Sequence, residues 1–177
     1  MITTIGEFLR YFDAVHRRTL RDVGMLPPEA EGWRPPAGEG EQSWDCGQIV
    51  AHLAGSRLYF AHAYRSEGWI TEHVPEDTRT RANWLPALER SYADLRRMLE
   101  ETPDAWLQRR IELIDTPGAT IAGWRVLMML LEHEVHHRSQ LDTYAGINGW
   151  PVPDIFGRTA EQIGAQREAQ LQKHASG

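Results

Sequence analysis

The segment LEHEVHHRSQL, residues 131–141, decides how the fold is predicted, because it sets histidines into the apolar face of a long helix. Thr120 can cap this helix, and Gly146 can end it after Ala145. At about 100° per residue, His133 and His137 point the same way as the apolar residues before them. The pattern therefore predicts a helix that turns two histidines toward the protein core.

Three more helices are predicted upstream of this one. Apolar residues recur at steps of three and four, the spacing of an amphipathic helix, over residues 3–23, 44–66 and 84–100. Ser43 is the predicted N-cap of the second helix. A last, very polar helix is predicted over residues 159–173.

The segments between these helices are long and contain no sustained alternation of apolar and polar residues. The predicted connections are residues 27–42, 67–82 and 101–119, the last with a short extended piece around 111–113. These features predict an all-α protein, a four-helix bundle with long loops and a short C-terminal helix. At 177 residues the chain suits a single domain over 1–177.

Composition narrows the possible partners. The net charge of −6 argues against a protein that binds nucleic acid through general basic attraction. A single cysteine, Cys46, cannot form an internal disulfide, and the N-terminus lacks the pattern of a signal peptide, so a cytoplasmic location is expected. No apolar run reaches the roughly 18–20 residues needed to span a bilayer.

The histidine pair on the fourth helix favours a metal site. His133 and His137 are four residues apart, a spacing that lets one helix bind one divalent ion. Histidines satisfied by hydrogen bonds are the alternative, but burying two imidazoles side by side is costly unless something binds them. His52, at the edge of the apolar stripe of the second helix, is the best third ligand. His16 is a reserve candidate for the pocket, for a supporting role behind a ligand, or for the core.

Four other residues of the fourth helix are candidates for the surroundings of the site. Glu134 and His136 flank the histidine face, and Gln140 and Tyr144 share it and can line a pocket. Arg138 is expected to form a salt bridge. The opposite face carries Met128, Leu131 and Val135, which predicts a second partner surface, either another subunit or the last helix folding back.

His133 to His137 also fit the H-E-x-x-H pattern, in which Glu134 would be the general base of a zinc peptidase. The extended form of that motif needs a glycine and a histidine where this chain has Gln140 and Thr143. There is also no sign of the β-sheet that such peptidases use to bind substrate. A zincin-type metallopeptidase is therefore a remote alternative.

Three stretches together resemble the DinB family of DinB/YfiT-like proteins. They are Ser43-Trp44 before His52, HEVHHRSQL at 133–141, and GINGWPVPD at 146–154, with Ser139 where the family usually has glycine. The resemblance implies an up-down-down-up four-helix bundle, a metal site of His52, His133 and His137, and a homodimer. Family members of known activity are mostly thiol-dependent, including transferases that use bacillithiol, mycothiol or glutathione, and an isomerase. DNA binding is not implied.

These observations predict a metal-binding protein with an open three-histidine site, an enzyme that activates a small thiol or water for a small-molecule substrate. Zinc or nickel is the expected ion, with iron or manganese as alternatives, and a low-molecular-weight thiol is the expected co-substrate. The competing interpretation is a non-enzymatic stress protein that binds a metal or a small ligand. A fourth protein ligand, such as His16 or Glu134, would favour that interpretation, because structural zinc sites are closed by four ligands.

Overall fold

Helices dominate the computed structural model, which describes residues 2–38, 43–71, 73–154 and 160–175. The elements, in chain order, are α1 (Ile5–Met25), α2 (Cys46–Arg65), α3 (Trp84–Glu100), β1 (Arg110–Glu112), β2 (Thr120–Ala122), α4 (Gly123–Asn148) and α5 (Ala160–Ala175). The predicted all-α class is confirmed. The extended piece predicted around 111–113 is β1, which forms an antiparallel hairpin with β2.

Contacts between the helices fix their directions. Thr19 and Asp22 of α1 contact Glu134 and Arg138 of α4, in the same order along both helices, so α1 and α4 are parallel. Helices α2 and α3 are parallel by the same argument, because Arg57 bonds Leu88 O and Arg65 bonds Met98 O.

The two parallel pairs run in opposite directions. His52 of α2 contacts His133 of α4, whereas the earlier Trp44 contacts the later Tyr144. The order of the bundle is therefore up-down-down-up. Since α2 and α3 are parallel neighbours, the chain between them must return along the length of the bundle, which explains one of the long loops.

The core has two apolar layers with a polar layer between them. The first layer takes residues from Ile5–Phe12, Leu58–Tyr64, Leu95–Leu99 and Val126–Leu130, and the second takes them from Val23–Leu26, Cys46–Leu53, Trp84–Leu88 and Leu141–Ala145. Thr19, Arg57, Ser91 and Glu134 lie between the two layers on their respective helices and are buried. The predicted metal ligands occupy the same level of the bundle.

The N-cap predicted for the second helix is wrong. Asp45 caps α2 through its side chain, which accepts from Gln48 N at 2.8 Å, while the Gln48 side chain accepts from Asp45 N. This reciprocal capping box satisfies two backbone donors, which Ser43 could not do from two residues further out. The Ser43 hydroxyl instead donates to Pro35 O at 2.6 Å.

The predicted limits of the fourth helix are also wrong. Thr120 lies in β2 rather than at an N-cap, and α4 begins at Gly123, where an added Cβ would lie 2.4 Å from Trp106 O. The helix passes through Gly146 and ends at Asn148. Gly149 adopts a left-handed backbone, φ 67°, and its N–H reaches the last carbonyls, so it is this glycine that ends the helix.

The other predicted limits differ from the structure by one or two residues at each end of α1, α2 and α5, and α3 matches its prediction. Residues 39–42, 72 and 155–159, which include parts of the predicted loops and the first residue of the predicted last helix, lie outside the described residues. No helix among the described residues is long and apolar enough to cross a membrane.

Helix α5 does not cover the outer face of α4. Its described side chains are exposed, including Ile163 and Leu171. Met128 and Leu131 instead line an open groove of about 860 Å³ between α1 and α4. The homodimer that would use such a face stays a prediction.

Candidate metal centre

Three histidines meet at the middle of the bundle, between α2 and α4. His52 comes from α2, and His133 and His137 come from successive turns of α4. One ring nitrogen from each lies within 4.8 Å of the others. The Nε2 atoms of His52 and His133 are 2.8 Å apart. The structure thus brings together the three residues chosen from the sequence as ligands.

Burial keeps these imidazoles neutral. Loss of solvent, together with a smaller contribution from neighbouring histidines, lowers the pKa of His52 to about 4 and that of His133 to about 3. The pKa of His137 is lowered as well, chiefly by burial, although its hydrogen bond to Gln140 acts in the opposite direction. Neutral imidazole is the form that binds a metal ion, so the cluster is ready to do so at neutral pH.

Hydrogen bonding at the cluster fits a bound ion. His137 Nδ1 donates to Gln140 Oε1 at 2.7 Å, which leaves the Nε2 lone pair for a ligand. His133 Nδ1 is buried without a hydrogen-bond partner, and three rings crowd together with centroids 4.3–4.7 Å apart. Such an arrangement is costly by itself, and a shared divalent ion offsets the cost.

The donor set leaves a position open. Within the described parts of the chain, the group that can hold an ion contains these three histidines and no carboxylate or thiolate. Three protein ligands with an open position are typical of catalytic zinc sites, whereas structural sites are closed by four. The residues present therefore fit a divalent transition metal that can still bind a small molecule.

Glu134 is turned away from this cluster. Its carboxylate is buried and accepts from Arg57 Nε at 3.2 Å, from Arg57 Nη2 at 2.5 Å and from the Thr19 hydroxyl at 2.8 Å. The sequence prediction placed it on the flank of the site as a pocket or supporting residue, and the peptidase alternative needed it as a base. Because this carboxylate is engaged by a buried guanidinium and does not belong to the histidine cluster, the structure gives the peptidase alternative no support.

The other flanking candidates have separate positions. His136 is exposed, with its ring 4.7 Å from that of His137. Gln140 accepts the hydrogen bond from His137 Nδ1 and so orients the ring of His137. The Tyr144 hydroxyl donates to Trp44 O at 3.2 Å, next to the ring that covers His52 and His137.

His16 and Arg138 lie in the core away from the histidine cluster. His16 stacks on Tyr92 with ring centroids 4.0 Å apart, and burial lowers its pKa to about 4. Arg138 is buried and paired with Asp22 at 3.2 Å, so it forms a structural ion pair. Neither belongs to the group of residues that can hold an ion.

Two residues at the cluster were not selected from the sequence. The Trp44 ring stacks on His137 at 5.8 Å and meets His52 edge-on at 4.7 Å, and so covers one side of the site. The Ser56 hydroxyl lies 3.4 Å from His133 Nε2. Trp44 entered the sequence argument only as part of a family motif. For Ser56, the available signal was its position one helical turn after His52, on the same face of the helix.

Comparison with known proteins identifies a family and a shared fold. The family model described as "DinB family" matches residues 1–168. The uncharacterized protein YjoA of Bacillus subtilis is 31% identical over 108 residues, which cover 59% of this chain and 67% of YjoA. Its crystal structure, described as that of a DinB-like protein, superposes with a TM-score of 0.66 and 19% identity, over 86% of this chain and 99% of that one.

Two more distant structures share the fold. YfiT of Bacillus subtilis, described as a probable metal-dependent hydrolase with an unusual four-helix bundle topology, has a TM-score of 0.58 and 17% identity, over 83% of this chain and 89% of its own. A mycothiol-dependent maleylpyruvate isomerase has a TM-score of 0.59 and 17% identity, over 88% of this chain and 68% of its own. Because the family model matches residues 1–168 of its 177 residues, this chain belongs to the DinB family.

Proposed function

We propose that this protein is a metal-dependent enzyme in which an ion held by His52, His133 and His137 activates a small thiol for transfer to an electrophile. Zinc and nickel are the ions that we expect first, since imidazole ligands suit both. The observation that carries the proposal is the open three-histidine cluster beside a cavity that His52 and His133 help to line.

An enzyme explains this cluster better than a metal held for stability. A structural zinc site would recruit a fourth protein ligand. The two candidates for that role, His16 and Glu134, are instead engaged with Tyr92 and Arg57. The open position and the adjoining cavity both favour a site that binds a reactant.

The surroundings of the cluster suit a coordinated thiol. A bound divalent ion stabilises the thiolate form of a coordinated thiol, so deprotonation needs no separate protein base. The described residues offer no free carboxylate at the cluster, because Glu134 is held by Arg57. The mycothiol-dependent isomerase with the same fold supports a thiol as co-substrate.

The protein residues have defined roles in this proposal. The histidines hold the ion, and Gln140 fixes the ring orientation of His137 through its hydrogen bond at 2.7 Å. Trp44 shields His52 and His137 from solvent on one side. In the overall reaction the thiol sulfur bonds to the electrophilic carbon, the thiol proton passes to solvent, and the leaving group departs with its bonding electrons.

Hydrolysis is the second candidate, and the description of YfiT as a probable metal-dependent hydrolase favours it. The same open position would admit water, whose pKa a bound zinc ion lowers to about 7. The two candidates differ in their dependence on added thiol. A hydrolase would turn over ester or amide substrates without thiol, whereas a transferase would not.

The experiment that tests the proposal combines metal analysis with an adduct screen. The purified protein is loaded with zinc or nickel and incubated with glutathione, bacillithiol or mycothiol and a chloronitrobenzene electrophile, and the thioether is detected by mass spectrometry. His137→Ala should abolish adduct formation above the uncatalysed rate. The adjacent, exposed His136→Ala is the matched control and should retain it. No adduct with any of these thiols, or undiminished activity of His137→Ala, would contradict the proposal.

A further inference from the structure

A cavity adjoins the metal centre, and Trp44 is not among the residues that line it. Its volume is about 580 Å³, within the usual range for small-molecule sites. His52 and His133 form part of its wall, together with Ala51, Gly55, Tyr59 and Phe60. A molecule bound in the cavity would therefore lie beside the open position of the ion.

The described part of the cavity wall carries no formal charge. Among the described residues that line it there is no lysine, arginine, aspartate or glutamate. The nearest guanidinium along α2, that of Arg57, is fully buried and bonded to Glu134 and to Leu88 O. A nearby carboxylate, Asp115, raises the pKa of Tyr59 beyond the effect of burial. An anionic group would lose its hydration here and gain no cationic partner.

The residues that line the cavity suit an aromatic ring. Ala51 and Gly55, one helical turn apart on α2, form a wall with small side chains. Tyr59 and Phe60 pack edge to face at 5.5 Å, and Trp69 lies 5.3 Å from Tyr59. Trp69 is held in place because its Nε1 donates to Glu112 O at 2.8 Å. Aromatic ligands gain from offset and edge contacts with such a cluster.

We propose that this cavity binds the electrophilic co-substrate and that this compound is a neutral aromatic molecule. The inference rests on the proposed function for the role of the bound compound, but not for its binding. Ser56 and Thr71 supply hydroxyl groups that can hydrogen-bond a neutral polar substituent. The thiol would take the open position on the ion, and the ring of the co-substrate would lie against Tyr59 and Phe60.

Binding is tested with three probes that share one ring system and differ in charge. They are 2-naphthylmethanol, 2-naphthoate and 2-naphthylmethylamine, titrated at pH 7.5 into the full chain, as purified and after chelation, with ligand-observed NMR. The neutral probe should bind more tightly than the carboxylate by at least about tenfold, because the carboxylate loses hydration without a partner. Equal or tighter binding of either charged probe would overturn the neutral class, and no binding of any probe would overturn the site.

The location is tested by filling the cavity. Ala51→Leu should weaken binding of 2-naphthylmethanol by at least about fivefold, since it removes space that the ring needs. Ala93→Leu, the same substitution on the exposed face of α3, is the matched control and should leave binding unchanged. Thr71→Trp, at an exposed position on the cavity wall, is a second filling variant in case Ala51→Leu does not fold. Unchanged binding in a folded filling variant would overturn the location.

The outcomes separate this inference from the proposed function. Probe binding that Ala51→Leu weakens, in a protein that forms no thiol adducts, would support the cavity assignment and contradict thiol transfer. Adduct formation with probe binding insensitive to both filling variants would support thiol transfer and overturn the cavity assignment.

Discussion

His133 and Glu134 are neighbours on α4, both at the polar level of the bundle, and their surroundings differ sharply. The Glu134 carboxylate accepts hydrogen bonds from Arg57 and Thr19, and the guanidinium of Arg57 is in turn completed by Leu88 O and the Ser91 hydroxyl. The His133 ring has one buried nitrogen without a partner, and the other crowds against His52.

This difference is the one expected between a cluster that stabilises the fold and a cluster that binds a ligand. The ion pair of Arg57 and Glu134 joins α2 to α4, the two helices that carry the three histidines, and its atoms are satisfied by the protein itself. The histidines are incomplete without something that the protein does not supply. A buried group that lacks a partner lowers stability and is retained where a ligand completes it.

The largest expected effect comes from breaking the ion pair of Arg57 and Glu134. Glu134→Leu should lower the free energy of unfolding by about 3–5 kcal/mol, because it leaves the buried guanidinium of Arg57 without a counter-charge. Urea denaturation of the metal-free protein measures this change.

The matched control is the double variant Arg57→Met with Glu134→Leu. It should recover most of the lost stability, since replacing both members of a buried ion pair with apolar residues is often close to neutral. A loss of unfolding free energy below about 1 kcal/mol for Glu134→Leu alone would show that the ion pair does not stabilise the fold.

Replacing His133 should have the opposite effect, a loss of metal binding without a loss of stability. His133→Leu should weaken zinc binding by more than about 100-fold, beyond the range found when only a residue supporting a ligand is lost. The same change should leave the metal-free protein at least as stable as the wild type, because it removes a buried nitrogen without a partner. Competition with a chromophoric chelator gives the affinity, and urea denaturation gives the stability. A large loss of metal-free stability would mean that His133 is a core histidine.

Removing the hydrogen bond between Gln140 and His137 should weaken zinc binding less than removing His133 itself. Gln140→Leu should weaken zinc binding by about 10- to 100-fold, because the ring of His137 loses the acceptor that fixes its tautomer. Gln108→Leu, the same substitution at an exposed position far along the chain, should have no effect. Equal affinities for the two variants would exclude an orienting role for Gln140.

The smallest expected effect concerns His16, a buried histidine outside the metal centre. Burial is the main cause of its lowered pKa of about 4; the charges of Arg57 and Arg17 lower it further, and those of Glu134 and Asp13 raise it. Between pH 7 and pH 5 the unfolded chain takes up a proton at this histidine and the folded chain does not. Stability should therefore fall by about 1–2 kcal/mol over that interval through this group alone.

The pH effect is isolated by comparing the wild type with His16→Phe, both without metal. The other histidines are common to both proteins, so their contributions cancel in the difference. The variant should lose less stability than the wild type between pH 7 and pH 5. Parallel pH profiles for the two proteins would show that His16 titrates normally in the folded state.

The sequence was sufficient to predict the helices and the pairing of His133 with His137, because both depend on local spacing. Residues four apart on one helix share a face in any fold, so His133 and His137 could be paired without knowing their neighbours. The choice of His52 needed a partner helix, and its position at the edge of an apolar stripe supplied the only local signal.

The role of Glu134 could not be obtained in the same way. Its partner, Arg57, lies 77 residues earlier, and the ion pair depends on the packing of α2 against α4. Trp44 likewise reaches the histidines only because the chain before α2 folds over the end of that cluster. The predicted helix limits were wrong where a better capping residue lay nearby, as with Asp45 near Ser43 and Gly149 beyond Gly146.

The central claim is that these three histidines together hold one metal ion and leave a position open. X-ray absorption at the metal edge of the zinc-loaded protein tests it most directly. The account predicts one zinc per chain, with three imidazole nitrogens at about 2.0–2.1 Å and the remaining position taken by solvent or added thiol. Zinc bound without three imidazoles, or with a fourth protein ligand, would contradict it.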